Sequence, residues 1–365
     1  MVETLLELRS ISKNFGAVQA LRDLSLEVPR GSLIVLLGPA GAGKTTTLRI
    51  VAGLEAPTSG EVWVEGQNFT KLQPNRRDIA MIFDNLALYP NKTGYENVAS
   101  PLRLARMPRA DIEKRVDEIA GLLKIGHILD RLPATFSGGE RQRVALGRAM
   151  VREPRFYLLD EPLSSLDFML RIELRTELKR LQRDLGRTFV FATPDYTEAL
   201  ALADTVCVLL EGEVRQIAKA QELYDEPADR DVARFVGNPK INIVPGRLSR
   251  ENGTAHLSIG SMNLPLPDRM EHGLPAHMSE VEVGLRPEHV RIVASASEET
   301  HRTGIVNDLE PLGMHTTVGI DLSGINLALT VAGVQEFNDG DRVEVHLDTE
   351  TLLFFDPVSG RRVGN

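Results

Sequence analysis

The sequence contains a single cysteine and no long apolar run. Cys207 lies in the apolar stretch "TVCVLL", so no disulfide can form within the chain, and a buried thiol in a reducing, intracellular setting fits this position. No segment approaches the roughly 18 consecutive apolar residues of a membrane span, and the N-terminus lacks the apolar region of a signal peptide. If the protein works at a membrane, we expect it to do so as a peripheral subunit.

A strong positive charge is also missing. The 365 residues carry a formal net charge of -9, which argues against a nucleic-acid-binding surface, although a whole-chain count does not detect a local basic patch. This charge does not exclude ATP, because local backbone geometry binds that ligand. With 42% hydrophobic and 25% charged residues, the chain has the composition of a globular protein. Its length suits about two domains.

The predicted secondary structure divides the chain into an α/β part and a later all-β part. The N-terminal strands and the glycine-rich turn that follows predict an α/β core with an antiparallel flank. Apolar residues at helical spacing predict helices over residues 111–123 and about 170–185, with Gly186 as the C-cap of the second. A polar segment with two prolines predicts a domain boundary near residue 238. We therefore expect a first domain over 1–237 and a small all-β, barrel-like domain over 238–365.

A phosphate-binding turn is predicted at "GPAGAGKTT", which begins at Gly38. It fits the pattern G-x-x-x-x-G-K-[ST] and follows the apolar strand 33–37. The glycines let successive backbone N–H groups converge on phosphates, Lys44 would neutralise the β and γ oxygens, and the Thr45 hydroxyl would ligate Mg²⁺. A helix that starts at Lys44 would add its positive N-terminal end.

Two acidic residues end another apolar strand, "RFYLLDEP". Adjacent carboxylates at a buried strand end are costly unless they are paired or bind a metal. Asp160 therefore suits the Mg²⁺ shell, and Glu161 is placed to orient or deprotonate an attacking water. Together with the phosphate-binding turn, this motif predicts a nucleotide hydrolase.

The stretch "FSGGERQRVALGRAM" has two interpretations. Ser137 and Glu140 form the S-x-x-E capping box of a helix that continues through apolar positions. Gly138 and Gly139, just behind the cap, would expose backbone N–H groups at the helix N-terminus, which suits a γ-phosphate. A cap and a phosphate site can be the same structure.

The order and spacing of these motifs resemble an ABC-transporter ATPase. "SGGE" resembles the signature motif, and "SSLD", which ends in Asp167, resembles the D-loop. The resemblance implies a P-loop ATPase domain with a RecA-like core, an antiparallel flank and a helical subdomain over about 86–150. The C-terminal "VGLRPEHVRI" and "LLFFDPVSGRRV" are similar to the OB-like regulatory domain of subunits that drive sugar and polyol importers.

The resemblance also implies ligands and partners. In this family two subunits sandwich two ATP molecules, each between the P-loop of one chain and the signature helix of the other. Phe15 lies where an aromatic stacks on adenine, and residues 86–98 resemble the segment that receives a permease helix. We expect a second ATPase subunit, two permease subunits, an indirect solute-binding protein and no nucleic acid, at the cytoplasmic face of a bacterial inner membrane. The cofactors ATP and Mg²⁺ are expected to contact Phe15, Gly38, Pro39, Ala40, Gly41, Ala42, Gly43, Lys44, Thr45, Thr46, Asp84 and Asp160.

Three positions depart from the family pattern. Asp84 stands where glutamine is usual; it can still ligate Mg²⁺, but it only accepts hydrogen bonds and it adds negative charge. Glu140 replaces a glutamine, a change common in such subunits. In "ATPDYTEAL", Pro194 stands where the family has a histidine that bonds the γ-phosphate. Proline has neither a side-chain donor nor a backbone N–H, so Asp195 or a partner residue would have to substitute.

These departures predict that the chain's own ATP site is impaired. Because an importer must hydrolyse ATP to reset, the pattern favours a heterodimer in which an intact paralogue supplies the competent site. The predicted function is the energy-coupling ATPase subunit of an importer for a carbohydrate, a polyol such as glycerol, or a sugar or glycerol phosphate. Three alternatives stay open: a non-hydrolysing regulatory or scaffold subunit, a competent homodimeric ATPase, and an ABC-type ATPase that acts on nucleic acid or ribosomes.

Overall fold

The computed structural model describes residues 3–164, 166–251, 254–267, 270, 274–275, 278–293, 301–333 and 337–364. These residues form two compact units, and the division falls between Gln221 and Glu222. The fold predicted from the sequence is confirmed in both: an α/β unit comes first and an all-β unit follows.

The first unit contains six helices and ten strands among its described residues. The helices are α1 (Lys44–Ala52), α2 (Gly94–Leu104), α3 (Arg109–Leu123), α4 (Gly138–Met150), α5 (Phe168–Leu185) and α6 (Tyr196–Leu202). The strands are β1 (Thr4–Phe15), β2 (Val18–Pro29), β3 (Leu33–Leu37), β4 (Ser59–Val64), β5 (Gln67–Asn68), β6 (Ile79–Ile82), β7 (Phe156–Asp160), β8 (Thr188–Thr193), β9 (Thr205–Leu210) and β10 (Glu213–Ala218).

A six-stranded sheet forms the centre of this unit. Its order is β10-β9-β3-β8-β7-β6, and all strands except the edge strand β10 run parallel. Every residue of β3, β7 and β8 is buried, as expected of parallel strands covered on both faces. Because these three strands are neighbours, their carboxyl ends meet at one edge of the sheet. The predicted phosphate-binding turn, the acidic pair and Pro194 all follow these ends.

The flank and the helical region also follow the predicted pattern. An antiparallel sheet of order β2-β1-β4-β5 lies in the first unit, and its apolar residues share a core with the central sheet. Helices α2, α3 and α4 occupy the predicted helical region. Helix α2 starts at a capping box between Thr93 and Glu96. Helix α5 ends at Gly186 in the left-handed conformation, as predicted.

The second unit is built from two antiparallel sheets and two short helices, α7 (Ala220–Asp225), which spans the division, and α8 (Arg230–Phe235). Its strands are β11 (Asn242–Glu251), β12 (Thr254–Ile259), β13 (Met262–Pro265), β14 (Glu280–Leu285), β15 (Val290–Val293), β16 (His301–Pro311), β17 (His315–Leu322), β18 (Ile325–Ala332), β19 (Arg342–Leu347), β20 (Leu353–Phe355) and β21 (Arg362–Val363). The sheet orders are β13-β12-β11-β14-β20-β21 and β15-β19-β16-β17-β18. Both sheets contribute residues to one apolar core.

Helix α8 belongs to the second unit by its contacts. Ala233 packs against Ile241, Leu353 and Phe355, and the buried guanidinium of Arg286 donates to the Ala233 carbonyl at 3.3 Å. The compact unit therefore starts before the boundary predicted near residue 238, which stays a prediction for the functional domains.

Two further expectations concern burial and membrane spans. Cys207 is fully buried, and burial raises the pKa of its thiol to about 12. In the described part of the chain, no helix has both the length and the apolarity that crossing a membrane requires.

Candidate functional site

The phosphate-binding turn connects β3 to α1 with the backbone that its glycines predict. Gly41 and Gly43 have φ angles of 82° and 103°, a region that other residues enter at a cost. Gly38 is required for a different reason: a Cβ there would lie 2.1 Å from the carbonyl oxygen of Leu209. Helix α1 starts at Lys44, as predicted, so its first N–H groups face the turn.

Lys44 lies at the centre of the turn with its ammonium group almost fully enclosed. The residue is 3% exposed, and Nζ donates to the carbonyl oxygens of Gly38 at 2.8 Å and Pro39 at 3.0 Å. The same atom lies 3.1 Å from Oε1 of Glu161. The structure therefore places a buried cation between the turn and the acidic pair.

Thr45 and Asp160 meet at the start of α1. The Thr45 hydroxyl donates to Oδ1 of Asp160 at 3.0 Å. Burial is the main cause that raises the pKa of Asp160, and the negative charges of Asp84 and Glu161 raise it further. Two further carboxylates are thus close enough to disfavour the charge of Asp160, and an added cation would relieve that repulsion.

This donor set fits Mg²⁺ bound together with nucleotide. The described residues contain no cluster of three His, Cys, Asp or Glu side chains arranged to hold a metal alone. Mg²⁺ usually takes one or two protein carboxylates and completes its shell with water and substrate phosphates. A hydroxyl and a buried carboxylate beside a phosphate-binding turn match that requirement.

Glu161 adopts a left-handed backbone conformation with φ 45°. Its N–H donates to the carbonyl of Ala192 in β8 at 3.0 Å, and its own carbonyl accepts from Ser164. These bonds hold a conformation that costs a non-glycine residue about 1–2 kcal/mol. The side chain of Glu161 is partly exposed and faces Lys44 rather than packing in the core.

The end of β8 joins the phosphate-binding turn to the acidic pair. Gly38 N–H donates to the Thr193 carbonyl at 3.3 Å, one residue before Pro194. Pro194 is exposed, and Asp195 caps helix α6 by accepting from the N–H groups of Thr197 and Glu198. The carboxylate of Asp195 is thus engaged by its own helix, so it is not freely available to replace a histidine.

Asp84 follows β6 and begins a strained turn. It is exposed, and the next residue's N–H donates to its carboxylate at 2.8 Å. Leu86 and Ala87 both have positive φ angles, 58° and 45°. A left-handed residue other than glycine costs about 1–2 kcal/mol, so two in succession need an external partner.

Arg148 of α4 is that partner. It donates to the carbonyl oxygen of Ala87 at 2.6 Å and to that of Leu86 at 2.7 Å. Its guanidinium carbon lies 5.5 Å from the ring centre of Tyr89. Partial burial lowers the pKa of this arginine.

Phe15 is an exposed aromatic at the end of β1. It is 48% exposed, which excludes the interpretation as a core residue, and the Lys13 ammonium lies 4.8 Å from its ring centre. An exposed ring is available to stack on a flat ligand.

The signature residues form a second group, at the start of α4. Ser137 and Glu140 make the complete capping box. The pKa of Glu140 is lowered, chiefly because the Ser137 backbone N–H donates to it. A Cβ on Gly139 would lie 2.8 Å from a methyl group of Leu170 in α5, so a larger residue there would require the leucine side chain to shift. The predicted capping box is therefore present, and the phosphate site at the same helix N-terminus stays a prediction.

Asp167 caps α5, because its carboxylate accepts from the N–H of Leu170 at 3.0 Å. Ser165, within the same predicted D-loop, lies outside the described residues. Arg171, one turn into α5, donates to the carbonyl of Leu166 at 3.1 Å and lies 3.6 Å from Asp195. Sequence reasoning missed Arg148 and Arg171, because neither residue belongs to a pattern that predicts carbonyl contacts.

Known proteins resemble the chain over both units. The ABC transporter family profile matches residues 21–164, the MalK OB fold domain matches 237–290, and the TOBE domain matches 283–355. The sn-glycerol-3-phosphate import ATP-binding protein UgpC of Cereibacter sphaeroides is 40% identical over 359 residues, 98% of this chain and 99% of the relative. The trehalose/maltose import ATP-binding protein MalK of Thermococcus litoralis is 39% identical over 364 residues, 96% and 97% of the two chains.

The chain belongs to the ABC transporter family. Its resemblance to ABC importer subunits is thereby confirmed, as are its activity class, an ABC-type transport ATPase, and its cofactors, ATP and Mg²⁺. A solved structure described as "Dimeric structure of a post-hydrolysis state of the ATP-binding cassette MJ0796 bound to ADP and Pi" matches 59% of this chain and 99% of that chain. Its sequence identity is 30% and its TM-score 0.54.

Proposed function

We propose that this ABC ATPase is the degenerate member of a heterodimeric ATPase pair that drives a solute importer. The observation that carries the proposal is the end of β8. There the backbone accepts hydrogen bonds from Gly38 of the phosphate-binding turn and from Glu161, the proposed catalytic base, and the next position is a proline. A side chain that donates a hydrogen bond at this point would reach the γ-phosphate region, and Pro194 has none.

The ATP site retains its binding parts. Lys44 and the backbone N–H groups at the start of α1 would hold the phosphates, and the exposed ring of Phe15 would stack on adenine. Thr45, Asp160 and Asp84 would hold Mg²⁺, which when bound neutralises charge on the β and γ phosphates. Glu161 would orient the attacking water. The combination predicts a site that binds ATP well and turns it over slowly.

The signature residues would serve the partner's site. Ser137, Gly138, Gly139 and Glu140 sit at a helix N-terminus, where backbone N–H groups and the helix dipole favour a phosphate. The solved relative described as dimeric supports a two-subunit arrangement. Asp167 would belong to the same interface. A paralogue with glutamine and histidine at the two departing positions would then provide the competent site.

The solute and the setting are also part of the proposal. Relatives that match nearly the whole chain are named as import proteins for sn-glycerol-3-phosphate or for trehalose and maltose, which supports a carbohydrate, polyol or glycerol-phosphate importer. We place the subunit at the cytoplasmic face of the inner membrane, where residues 86–150 would contact two permease subunits. A solute-binding protein would act indirectly, and nucleic acid has no role.

An asymmetric pair predicts unequal effects of the same mutation in its two subunits. In the reconstituted transporter, Glu161→Gln in this chain is expected to leave most ATP hydrolysis intact. The equivalent exchange in the paralogue is expected to lower hydrolysis by about 100-fold or more, because it removes the acid from the competent site. Steady-state phosphate release measures both.

The control is a glutamate-to-glutamine exchange at a position outside the site. Glu113, exposed on α3, pairs with Arg109 on the same helix surface and serves as the matched position. Equal losses from the two site exchanges would contradict the asymmetric pair and favour two competent sites. No hydrolysis by any combination with a paralogue would favour the scaffold alternative.

A further inference from the structure

A short series of hydrogen bonds connects Asp84 to the strained turn that follows it. The N–H of Leu86 donates to the carbonyl of Phe83 at 2.9 Å, and the N–H of Ala87 donates to the carbonyl of Asn85 at 2.7 Å. The Asn85 N–H in turn donates to the Asp84 carboxylate at 2.8 Å. A change in the conformation of Leu86 or Ala87 would therefore move Asp84.

The downstream end of this segment is fixed independently. The fully buried amide of Asn97 accepts from the N–H of Tyr89 at 2.8 Å and donates to the carbonyls of Tyr89, Lys92 and Thr93. With one end of the segment held, the two left-handed residues are the part that is free to relax.

Only a planar two-pronged donor matches the two carbonyls. Arg148 presents two N–H groups to the oxygens of Leu86 and Ala87, whereas a lysine ammonium is a compact point charge without this fixed fork. Arg148 lies in the last turn of α4, and Ser137 caps the first turn of the same helix. The helix thus connects the proposed partner site to the turn that follows Asp84.

We propose that Arg148 is a positioning residue that holds Asp84 in the ATP site by clamping the left-handed turn at Leu86 and Ala87. This inference rests on the proposed role of Asp84 as a Mg²⁺ ligand. Through Arg148, the position of α4 sets the position of a metal ligand in the chain's own site.

The test compares ATP affinity with and without Mg²⁺ in the full chain. Arg148→Lys is expected to weaken Mg²⁺·ATP binding by about 10-fold, the equivalent of one charge-assisted hydrogen bond, and to leave binding in the presence of EDTA nearly unchanged. Arg143→Lys is the matched control, because Arg143 lies on the same helix but pairs with Glu173 and Glu177. Equal weakening with and without Mg²⁺ would overturn the proposal, since general damage to the fold acts on both.

Two exchanges at Ala87 test the clamp from its other side. Ala87 is exposed, so its side chain makes little contribution to packing. Ala87→Gly relieves the left-handed strain and should restore Mg²⁺·ATP affinity in the Arg148→Lys background. Ala87→Val increases the strain and should reproduce the loss in the presence of Arg148, even if Arg148→Lys does not fold. Absence of both effects would overturn the clamp.

Two further measurements separate the clamp from the role of Asp84. Arg148→Lys should increase hydrogen exchange at the amides of Leu86 and Ala87 by about 10-fold or more, and unchanged exchange would overturn the clamp. Asp84→Ala should remove the preference for Mg²⁺·ATP. If it does not, the proposed metal role of Asp84 fails, while the exchange result still decides whether Arg148 holds the turn.

Discussion

Lys44→Ala is expected to weaken ATP binding by the isolated chain by about 100-fold or more. The lysine is almost fully buried, and its ammonium group bonds two carbonyls of the phosphate-binding turn. Charge-assisted hydrogen bonds contribute about 1.5–3 kcal/mol each, and about 3 kcal/mol corresponds to about 100-fold in affinity. Oε1 of Glu161 lies 3.1 Å from the Lys44 ammonium. Without that cation, the uncompensated charge of Glu161 would also repel the phosphates.

Isothermal titration calorimetry with Mg²⁺·ATP measures this loss. Lys114→Ala, at an exposed position on α3, is the control and should bind ATP as the unchanged chain does. Circular dichroism of the Lys44→Ala variant should show retained helix content, because alanine favours the helix that starts at this position. Retained affinity would mean that ATP binds elsewhere on the chain.

Pro194→His is expected to raise ATP turnover by about 10²–10³-fold, the usual effect of one positioned transition-state hydrogen bond. The other proposed site residues lie next to Pro194. The Glu161 N–H donates to the Ala192 carbonyl in β8, and the Gly38 N–H donates to the Thr193 carbonyl. Histidine would add a side-chain donor and restore the backbone N–H that proline lacks. Because Pro194 is exposed, the exchange demands no repacking of the core.

Pro194→Ala separates the imidazole from the backbone. Alanine restores the N–H without adding a side-chain donor, so its turnover should stay close to that of the unchanged chain. Phosphate release under steady-state conditions compares the three forms. An equal gain with alanine would assign the defect to the backbone, and no gain with histidine would mean that Asp84 also silences the site.

The sequence predicted the parts of the site that follow strand ends. Two apolar runs of about five residues predicted the buried strands before the phosphate-binding turn and the acidic pair, and in a parallel sheet their carboxyl ends must meet at one edge. Lys44 and Asp160 therefore converge for topological reasons. The capping box between Ser137 and Glu140 could equally be predicted from the sequence, because its two side chains lie three residues apart.

The remaining features depend on contacts between residues distant in sequence. The residue types of Leu86 and Ala87 do not predict their positive φ angles, because apolar residues normally avoid the left-handed region. Arg148 lies about 60 residues away, and nothing in "ALGRAM" predicts carbonyl partners. Likewise, the contact of Ala233 in α8 with Phe355 joins residues more than 100 positions apart, and no local pattern predicts it.

ATP turnover by the isolated full chain tests the central claim most directly. The chain is measured at concentrations that saturate ATP-dependent dimerisation, with Glu161→Gln as the blank. We expect tight Mg²⁺·ATP binding and turnover about 100-fold or more below that of the Pro194→His form. Robust multiple turnover by the unchanged chain, abolished by Glu161→Gln, would contradict a degenerate site and identify a competent homodimer.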